Sequence, residues 1–269
     1  MLQTFVDGTN SFARNEGLDF KPVDMEELKK FFAIILYIGV VKMPEIVMFW
    51  SKNSIFRNEV VHRIMSRNRF EAIASNLHWL DASGISAEER KRRNKADGFW
   101  TISSFLDDLA GNFRKYYECG QKISIDEMAI FFKVRHRCRC YNPSKPNKWH
   151  FKAYCLNDAD TGYLSNFFMY RGKDERRPAD MPATLYPVME LCKHPCYHNK
   201  QHLLATDNWY TQLELLIRLH NPPYNMNVCG TCKTNKKGIP RSAIFSKTGA
   251  NKKNRGEPTF RRLLHLGKH

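Results

Sequence analysis

Apolar residues recur at helical spacing through the first 120 positions of the chain. In the segment DMEELKKFFAIILYIG, Leu28, Phe31 and Ile35 follow one another at intervals of three and four, the period of an amphipathic helix. Asp24, followed three residues later by Glu27, is an Asp variant of the capping box that begins many helices. The pattern therefore predicts a helix that starts just after Asp24.

Further helices are predicted in the rest of the first half. Gly39 is the expected end of the first helix, and helical spacing resumes over residues 54–80. Residues 84–98, GISAEERKRRNKADG, are charged throughout and predict a loop or a helix end. Apolar residues every four positions from Phe105 to Phe113 then indicate another helix. The first half reads as an amphipathic helical bundle.

The period changes after residue 120. KISIDEMAIFF predicts a strand with an irregularity near its acidic pair, Asp126 and Glu127, and the segments WHFKAYCLND and YLSNFFMYRG predict a hairpin. A short helix, a brief strand closing on Asp207, a second helix and a final strand at YNMNVCGTC follow. The order β–β–β–α–β–α–β is that of an RNase H-like core. The predicted class is α/β, a helical N-terminal region followed by a mixed sheet.

Charge is unevenly distributed along the 269 residues, whose formal net charge is +16. Residues 1–120 contain 17 Lys and Arg against 16 Asp and Glu, whereas residues 121–269 contain 26 against 11. A basic field attracts polyanions by phosphate neutralisation and counterion release, so nucleic acid is the expected partner. The alternative is a basic, solvated surface. The longest apolar run, residues 31–41, is too short to span a bilayer, and no membrane partner is expected.

Two aspartates are expected to meet in the predicted sheet. Asp126 lies on the first strand and Asp207 at the end of the fourth, and these strands are neighbours in an RNase H-like sheet. Converging carboxylate oxygens suit Mg²⁺ or Mn²⁺, and two such ions activate a water or a 3′-hydroxyl in phosphodiester chemistry. On spacing alone the alternative stays open, because strand ends often carry Asp as a cap.

Several ordered motifs carry a resemblance to a known family. They are ELKKFFAIILYIGVVKMPEI, FWSKN, IMSRNRFEAIASNLHWLD, SIDEMAIFFKVR, YNPSKPNKW, GYLSNFFMYRG, TDNWYT and VCGTCKTNKKGIP. Together they resemble the transposase domain of the piggyBac family over nearly the whole chain. The order of the motifs makes this resemblance far more specific than any one of them.

The resemblance implies an RNase H-like core with a DDD set of catalytic carboxylates. Asp126, in SIDE, matches the first Asp and Asp207, in TDNWYT, the second, so both are expected catalytic residues and metal ligands. Family members cut transposon ends to free 3′-hydroxyls, resolve a hairpin intermediate and join the ends at TTAA. The resemblance further implies a nuclear location and a homodimer, or a heterodimer with a related transposase. Residues 1–119 are expected to form the dimerisation and DNA-binding region, and residues 120–269 the catalytic core.

The family's third catalytic Asp has no match in this sequence. In the family it lies on a later helix, and after Glu214 the only acidic residue here is Glu257. The chain is therefore expected to resemble a truncated transposase, inactive alone and binding Mg²⁺ or Mn²⁺ weakly. Two functions stay open: a transposase domain for metal-dependent DNA cleavage and transfer, and a non-enzymatic, domesticated DNA-binding protein.

Basic residues beside the predicted strands are the expected DNA contacts. They are Arg135, Arg137, Lys145, Lys148, Lys233, Lys236, Lys237 and Arg241. The loop after the last strand is expected to contact phosphate, because this loop follows the active-site end of the sheet. Trp149 and Trp209 have rings suited to stacking on bases, but buried packing is the expectation for both.

Eight cysteines raise the question of zinc. Cys229 and Cys232 form a C-x-x-C, and Cys192, Cys196 and His198 form a second cluster of zinc-ligand types. Cys229 falls on a predicted core strand, and no secretory signal that favours disulfides is visible. We expect buried or incidental thiols and no zinc, with a zinc-dependent interaction module as the remaining alternative.

Overall fold

The computed structural model describes residues 1–172, 177–236 and 238–239, and the chain divides into two compact units. The first unit comprises residues 1–111 together with the short segment 135–138. The second comprises residues 112–134 and the chain from Arg139 onward. The candidate catalytic aspartates both belong to the second unit.

Helices make up the first unit, as the spacing of apolar residues predicts. The α-helices are α1 Leu2–Asn15, α2 Met25–Val40, α3 Glu59–Ile64, α4 Arg67–Asn76, α5 Ala87–Ala96 and α6 Ser103–Tyr116. A 3₁₀ helix spans Ile46–Trp50, and α6 runs from the first unit into the second. Helix α1 precedes the first helix that the sequence predicts. None of the helices in the described residues is long and apolar enough to cross a membrane.

The buried face of α2 differs slightly from the predicted one. Leu28, Phe31 and Ile34 lie in the core of the first unit, whereas Ile35 is 40% exposed. The helix also continues one residue past Gly39. The apolar run over residues 31–41 explains the error, because both faces of the helix carry apolar side chains there and spacing alone cannot separate them.

Asp24 caps α2 as predicted, but the capping box is not closed. Asp24 Oδ1 accepts a hydrogen bond from the backbone N–H of Glu27 at 2.8 Å. The Glu27 carboxylate instead accepts two hydrogen bonds from Arg69, at 2.7 Å from Nε and 2.6 Å from Nη2. These hydrogen bonds and the Arg69 charge lower the pKa of Glu27. The bidentate pair joins α2 to α4 within the first unit.

The charged segment that predicts a loop or helix end is a complete helix, α5. Ser86 begins it, since its Oγ accepts a hydrogen bond from the Glu89 backbone N–H at 3.2 Å. Glu89 pairs with Arg92 and Arg93, each at 2.7 Å, and no residue of α5 is buried. Because α5 has no apolar stripe, the spacing of apolar residues could not predict this helix. Its local signals are a cap and ion pairs at three- and four-residue spacing.

The second unit is built on a six-stranded mixed sheet. Its strands are β1 Lys122–Phe131, β2 Cys140–Tyr141, β3 Trp149–Asp158, β4 Leu164–Met169, β5 Leu203–Thr206 and β6 Asn227–Gly230. The order is β2-β3-β1-β5-β6, with β4 also paired to β3. Helix α7, Tyr186–Cys192, precedes β5, and α8, Leu213–His220, joins β5 to β6. This is the predicted RNase H-like order with one short extra strand, β2, and the predicted fold class is confirmed.

Strand β1 is regular where the sequence predicts an irregularity. It pairs with β3 in unbroken antiparallel register from Ile123 to Phe131. The register shift lies instead between Leu156 and Asn157, in the pairing of β3 with β4. The prediction was wrong because apolar residues beyond the acidic pair do not alternate with burial, and Met128, for example, is 40% exposed.

One face of the sheet is covered by α7 and α8. Ile123 and Ile125 of β1 and Leu204 of β5 are buried there with residues of both helices. Because successive side chains on a strand point to opposite faces, residues at even positions of β1 lie on the other face. This alternation fixes which acidic residues can share a site.

Candidate functional site

Asp126 lies on β1, and Asp207 directly follows the neighbouring parallel strand β5. In the pairing of β1 with β5, Ile125 is opposite Thr206, and each aspartate is the next residue of its own chain segment. Neighbouring strands are about 4.8 Å apart, and residues in register point to the same face. Both aspartates are exposed. The sheet thus brings together the two candidate carboxylates that are 81 positions apart in sequence.

One oxygen of each carboxylate is held by the backbone. Asp207 Oδ1 accepts hydrogen bonds from the N–H groups of Trp209 at 2.9 Å and Tyr210 at 3.3 Å, in the turn that follows β5. Asp126 Oδ1 accepts a hydrogen bond from the Glu127 N–H at 2.7 Å. These bonds restrict the rotamers of both side chains and orient the carboxylates.

Thr211 supports this turn and was not singled out from the sequence. Its Oγ1 donates to the carbonyl oxygen of Asp207 at 2.6 Å and lies 2.9 Å from Thr206 Oγ1. Gly230 of β6 packs against the same place, where a Cβ would lie 2.5 Å from Thr211 Oγ1. A sequence pattern that could have indicated this role is a residue with a hydroxyl group four positions after an Asp at the end of a strand.

Cys155 is the residue opposite Asp126 on β3. Burial raises the pKa of its thiol to about 11, and the negative charge of Asp126 adds to the increase. The thiol is therefore neutral at physiological pH, whereas the form that ligates metals is the thiolate. Cys155 is a packing residue opposite Asp126, and its soft sulfur does not suit a hard cation such as Mg²⁺.

Glu127 belongs to the opposite face of the sheet from Asp126, as strand alternation predicts. Its Oε1 accepts a 2.6 Å hydrogen bond from the hydroxyl of Tyr210, a residue of the buried core, and lies 3.9 Å from Lys152 Nζ. Burial and the hydrogen bond to Glu127 raise the pKa of Tyr210. Glu127 is therefore hydrogen-bonded to Tyr210 on the face of the sheet that α7 and α8 cover.

No third carboxylate joins the pair in the described part of the chain. Glu214 lies on α8, where it accepts hydrogen bonds from Arg218 at 3.0 and 2.7 Å. Glu257 lies outside the described residues. Among residues 1–172, 177–236 and 238–239, no group of three or more His, Cys, Asp or Glu side chains is arranged to hold a metal.

The pair nevertheless fits a hard divalent cation. Mg²⁺ is commonly bound through one or two carboxylates, keeps several waters and takes further oxygens from substrate phosphates. Asp126 and Asp207 are adjacent, exposed carboxylates, which matches that donor set. A cation at this point would supply Lewis-acid activation and neutralise charge on a phosphodiester.

The predicted DNA-contacting residues occupy different environments. Arg137 donates through Nη1 to the carbonyl oxygen of Lys95, at 2.6 Å, and also to that of Asn94, so its guanidinium caps the C-terminus of α5 within the first unit. Arg135 is exposed, as are Lys145 and Lys148 in the connection from β2 to β3.

Two of the predicted basic residues lie near the turn that follows Asp207. Lys236 Nζ donates to the carbonyl oxygen of Trp209 at 2.9 Å, and Lys233 Nζ lies 6.0 Å from the centre of the Trp209 ring. Trp209 itself is two residues from Asp207. Lys237 and Arg241 lie outside the described residues.

Both tryptophans are more exposed than the sequence suggests. Trp149 is 43% exposed and Trp209 46% exposed, so the expectation of buried packing was wrong for each. Trp149 begins β3 and packs against Tyr141 of the edge strand β2, with the Arg139 guanidinium 3.9 Å from its ring centre. Each ring is flanked by cations rather than enclosed by core side chains.

The cysteines are all free thiols. Cys229 lies on β6, as predicted, but is exposed like Cys232, whereas Cys192 is buried and Cys196 half-buried. Burial raises the pKa of Cys192 to about 12. The two cysteine clusters of the sequence therefore differ in accessibility.

Comparisons with known proteins define the family to which the chain belongs. Residues 1–263 match the family model described as Transposase IS4, and the chain belongs to this family. Within it, the chain is similar to piggyBac-type proteins, and the resemblance predicted from the ordered motifs is confirmed.

Two human relatives illustrate the similarity. PiggyBac transposable element-derived protein 3 is 25% identical over 264 residues, which cover 97% of this chain and 42% of that protein. PiggyBac transposable element-derived protein 2 is 24% identical over 163 residues, covering 61% of this chain and 26% of that protein. The chain thus spans less than half the length of these relatives.

A solved structure shares the fold. The chain matches the piggyBac transposase in a cryo-electron microscopy structure of a synaptic complex with hairpin DNA, with a TM-score of 0.75 and 26% sequence identity. The match covers 96% of this chain and 52% of that one. Together with the strand order, it establishes a mixed α/β fold with an RNase H-like core.

Proposed function

We propose that this chain supplies part of a metal-dependent active site for DNA strand cleavage and transfer, of the kind found in piggyBac transposases. Asp126 and Asp207 bind Mg²⁺ or Mn²⁺ in this proposal and act as catalytic carboxylates. The observation that carries it is the parallel register of Ile125 with Thr206, which makes the aspartates neighbours. The family and the fold of the neighbouring structure support it.

Two surfaces are assigned supporting roles in this proposal. DNA phosphates contact Lys145, Lys148, Lys233 and Lys236, which are exposed or half-exposed. The helical first unit mediates association with a second copy or a related transposase. On α2, Leu36 is 73% and Val40 83% exposed, which leaves apolar area suited to such a contact. A nuclear location follows from DNA as the substrate.

Metal binding to the two carboxylates tests the proposal directly. Mn²⁺ titration followed by electron paramagnetic resonance is expected to show weak binding in the 269-residue chain, weakened further, roughly tenfold, in Asp126→Asn and Asp207→Asn, because each removes a charged ligand. Asp160→Asn is the matched control, since Asp160 is an exposed carboxylate paired with Lys122 at 3.2 Å. Equal Mn²⁺ affinity in all four proteins would overturn the assignment.

A second candidate function is DNA binding without catalysis. It is favoured by the absence of a third carboxylate beside Asp126 and Asp207 in the described residues. The two functions differ in a strand-cleavage assay with Mn²⁺ and a duplex carrying transposon-end sequence. Cleavage lost in Asp126→Asn supports the enzyme, and tight binding without cleavage at any protein concentration supports the binding protein.

A further inference from the structure

A cavity of about 390 Å³ opens in the second unit, away from the aspartates. We call it the Arg114 cavity; its walls include Arg114, Lys115, Cys119, Ser165, Cys196 and Lys200. These residues come from the end of α6, the approach to β1, strand β4 and the segment before β5. Cys119 is seven residues before Asp126, roughly 20 Å along an extended chain. The cavity is therefore a separate place from the carboxylate pair.

Arg114 has hydrogen-bonding capacity that the protein does not use. Its Nη1 donates to Asn166 Oδ1 at 2.5 Å, and Asn166 is itself held by the carbonyl oxygen of Leu191 at 2.9 Å. Its Nε is buried and has no acceptor among the described residues. A buried guanidinium N–H without an acceptor is rare in native proteins, so the charge of Arg114 is only partly satisfied by the described residues.

The electrostatics of the cavity favour an anion. Arg114, Lys115 and Lys200 line it, and the one acidic residue of its wall, Glu118, is already paired with Lys200. Nearby, burial lowers the pKa of His194, and the positive charge of Arg114 lowers it further. No ion pair of Arg114 occurs within the described residues. The positive charge of Arg114 and Lys115 is thus left without a protein counter-ion there.

The uncharged groups of the wall remain neutral at physiological pH. Burial raises the pKa of the Cys119 and Cys196 thiols, so both stay protonated. Ser165 Oγ and the Tyr197 hydroxyl are 2.7 Å apart at the buried end of the cavity. Apart from the paired Glu118, the wall offers no negatively charged side chain, which suits a ligand rich in acceptor oxygens.

The mouth of the cavity adds an aromatic surface. Tyr116 is 75% exposed, and Lys115 Nζ lies 5.2 Å from its ring centre. An exposed ring beside a cation presents a face for stacking at the entrance of a charged cavity. The cavity volume lies within the usual range for small-molecule sites, about 300–1,000 Å³.

We infer that the Arg114 cavity binds a phosphate monoester, with Arg114 and Lys115 contacting the phosphate and Tyr116 stacking on an attached base. The phosphate can belong to a free mononucleotide or to the terminal phosphate of a DNA strand. This inference does not depend on the proposed function of Asp126 and Asp207, because the two places share no residue.

Thiol alkylation in the full chain gives a direct readout. Cys119 and Cys196 line the cavity, while the exposed Cys229 and Cys232 lie outside it and serve as internal controls. AMP at ten times its dissociation constant is expected to slow iodoacetamide modification of the two cavity thiols about tenfold, because occupied protein is shielded. Adenosine at the same concentration should give no protection.

The outcomes separate the two sources of phosphate. Protection by AMP and not by a 5′-phosphorylated oligonucleotide identifies a small-molecule site. Protection by that oligonucleotide, but not by its 5′-hydroxyl counterpart, identifies a DNA-end site. No protection by either phosphate, or equal protection by adenosine, would overturn the inference.

Substitutions provide an independent check. Arg114→Gln is expected to weaken AMP binding at least about tenfold, because it removes a charge-assisted, bidentate phosphate contact. Arg92→Gln, on the exposed helix α5, is the matched control and should bind as the unmodified chain does. If Arg114→Gln fails to fold by circular dichroism, Lys115→Gln serves instead, since Lys115 lines the cavity, is exposed and has no ion pair among the described residues. Unchanged AMP binding in a folded variant would contradict the assignment.

Discussion

Tyr210 and Glu127, 83 residues apart, form a 2.6 Å hydrogen bond on the helix-covered side of the sheet. Tyr210 is fully buried and belongs to the same cluster as Ile125. The bond anchors Glu127 on one face of β1, while Asp126 points to the other. The two acidic residues of the strand therefore have different surroundings: Glu127 is hydrogen-bonded to the buried Tyr210, and Asp126 is exposed on the other face.

The first prediction concerns this bond. Tyr210→Phe should destabilise the chain by about 1–2 kcal/mol, because Glu127 loses a charged hydrogen bond while the packing of the ring is kept. Urea unfolding followed by circular dichroism measures the change. Tyr141→Phe is the control, since Tyr141 is 54% exposed on the edge strand and should change stability by less than about 0.5 kcal/mol. Equal effects in the two variants would show that the bond contributes nothing specific.

The second prediction concerns Asp158, at the end of β3. This residue is 2% exposed, and its carboxylate accepts hydrogen bonds from the backbone N–H groups of Gly120 at 2.8 Å, Thr161 at 2.9 Å and Asp160 at 3.0 Å. These bonds lower the pKa of Asp158 in the folded chain. Asp158→Asn should cost about 1–3 kcal/mol at pH 7, because an amide replaces one acceptor oxygen with a donor.

The pH dependence follows from the direction of that shift. The unfolded pKa is about 3.9 and the folded pKa lies below it, so the stabilisation is complete above about pH 5. Below that it is lost progressively, as the pH falls from the unfolded pKa towards the folded pKa. Urea unfolding between pH 2.5 and 7 should thus show the difference between the unmodified chain and Asp158→Asn shrinking in acid. A constant difference, or the same behaviour in the control Asp160→Asn, would contradict the assignment.

The third prediction compares two glycines. At Gly230, next to the Asp207 turn, a Cβ would lie 2.2 Å from the carbonyl oxygen of Thr206, so Gly230→Ala should cost about 1–3 kcal/mol by forcing β5 and β6 apart. At Gly39, in helix α2, no atom of the described residues outside the helix's own backbone lies within 4 Å of the added Cβ, and Gly39→Ala should stabilise by about 0.5–1 kcal/mol. Thermal unfolding of both variants decides the matter, and a tolerated alanine at position 230 would argue against the close packing.

The fourth prediction concerns DNA. If six phosphates are neutralised, the logarithm of the affinity for duplex DNA should fall with the logarithm of salt concentration at a slope of roughly −5. Changing Lys145 and Lys148 to Gln should reduce the magnitude of the slope by about two, one for each phosphate contact. The matched double variant at Lys122 and Lys193, two exposed lysines already paired with Asp160 and Glu190, should leave it unchanged. Fluorescence anisotropy at several salt concentrations measures both.

The sequence predicts the second unit well because its strands and helices each carry a separate signal. The alternation at Ile123 and Ile125, the turn after Asp158 and the brief strand before Asp207 are local patterns, and their order defines the fold. In the first unit, α5 lacks an apolar face, so periodicity could not distinguish it from a loop. The bidentate pair of Glu27 with Arg69 could not be predicted either, because it depends on how two helices pack.

The site is partly predictable for a similar reason. Adjacent placement of Asp126 and Asp207 follows from strand order and from the parallel pairing of β1 with β5. The exposure of Trp209 could not be predicted in this way. A tryptophan beside apolar residues has the same local sequence whether it is buried or at a turn. Arg137 could not be recognised as a helix cap, because its acceptors lie more than 40 positions away.

The last prediction concerns catalysis by the chain itself. Phosphodiester transfer with two metal ions needs enough carboxylates to hold both ions between the attacking and leaving oxygens. Asp126 and Asp207 supply two side chains, Glu127 is bound to Tyr210 on the other face, and Glu214 is paired with Arg218 on α8. The purified 269-residue chain should therefore bind Mn²⁺ weakly and show no excision of a transposon from a plasmid substrate. Adding an active piggyBac-type transposase with which it associates should lower the excision by that partner, because mixed assemblies contain an incomplete site. Excision by the purified chain alone, lost in Asp126→Asn and in Asp207→Asn, would overturn this prediction and make Glu257 the next residue to substitute.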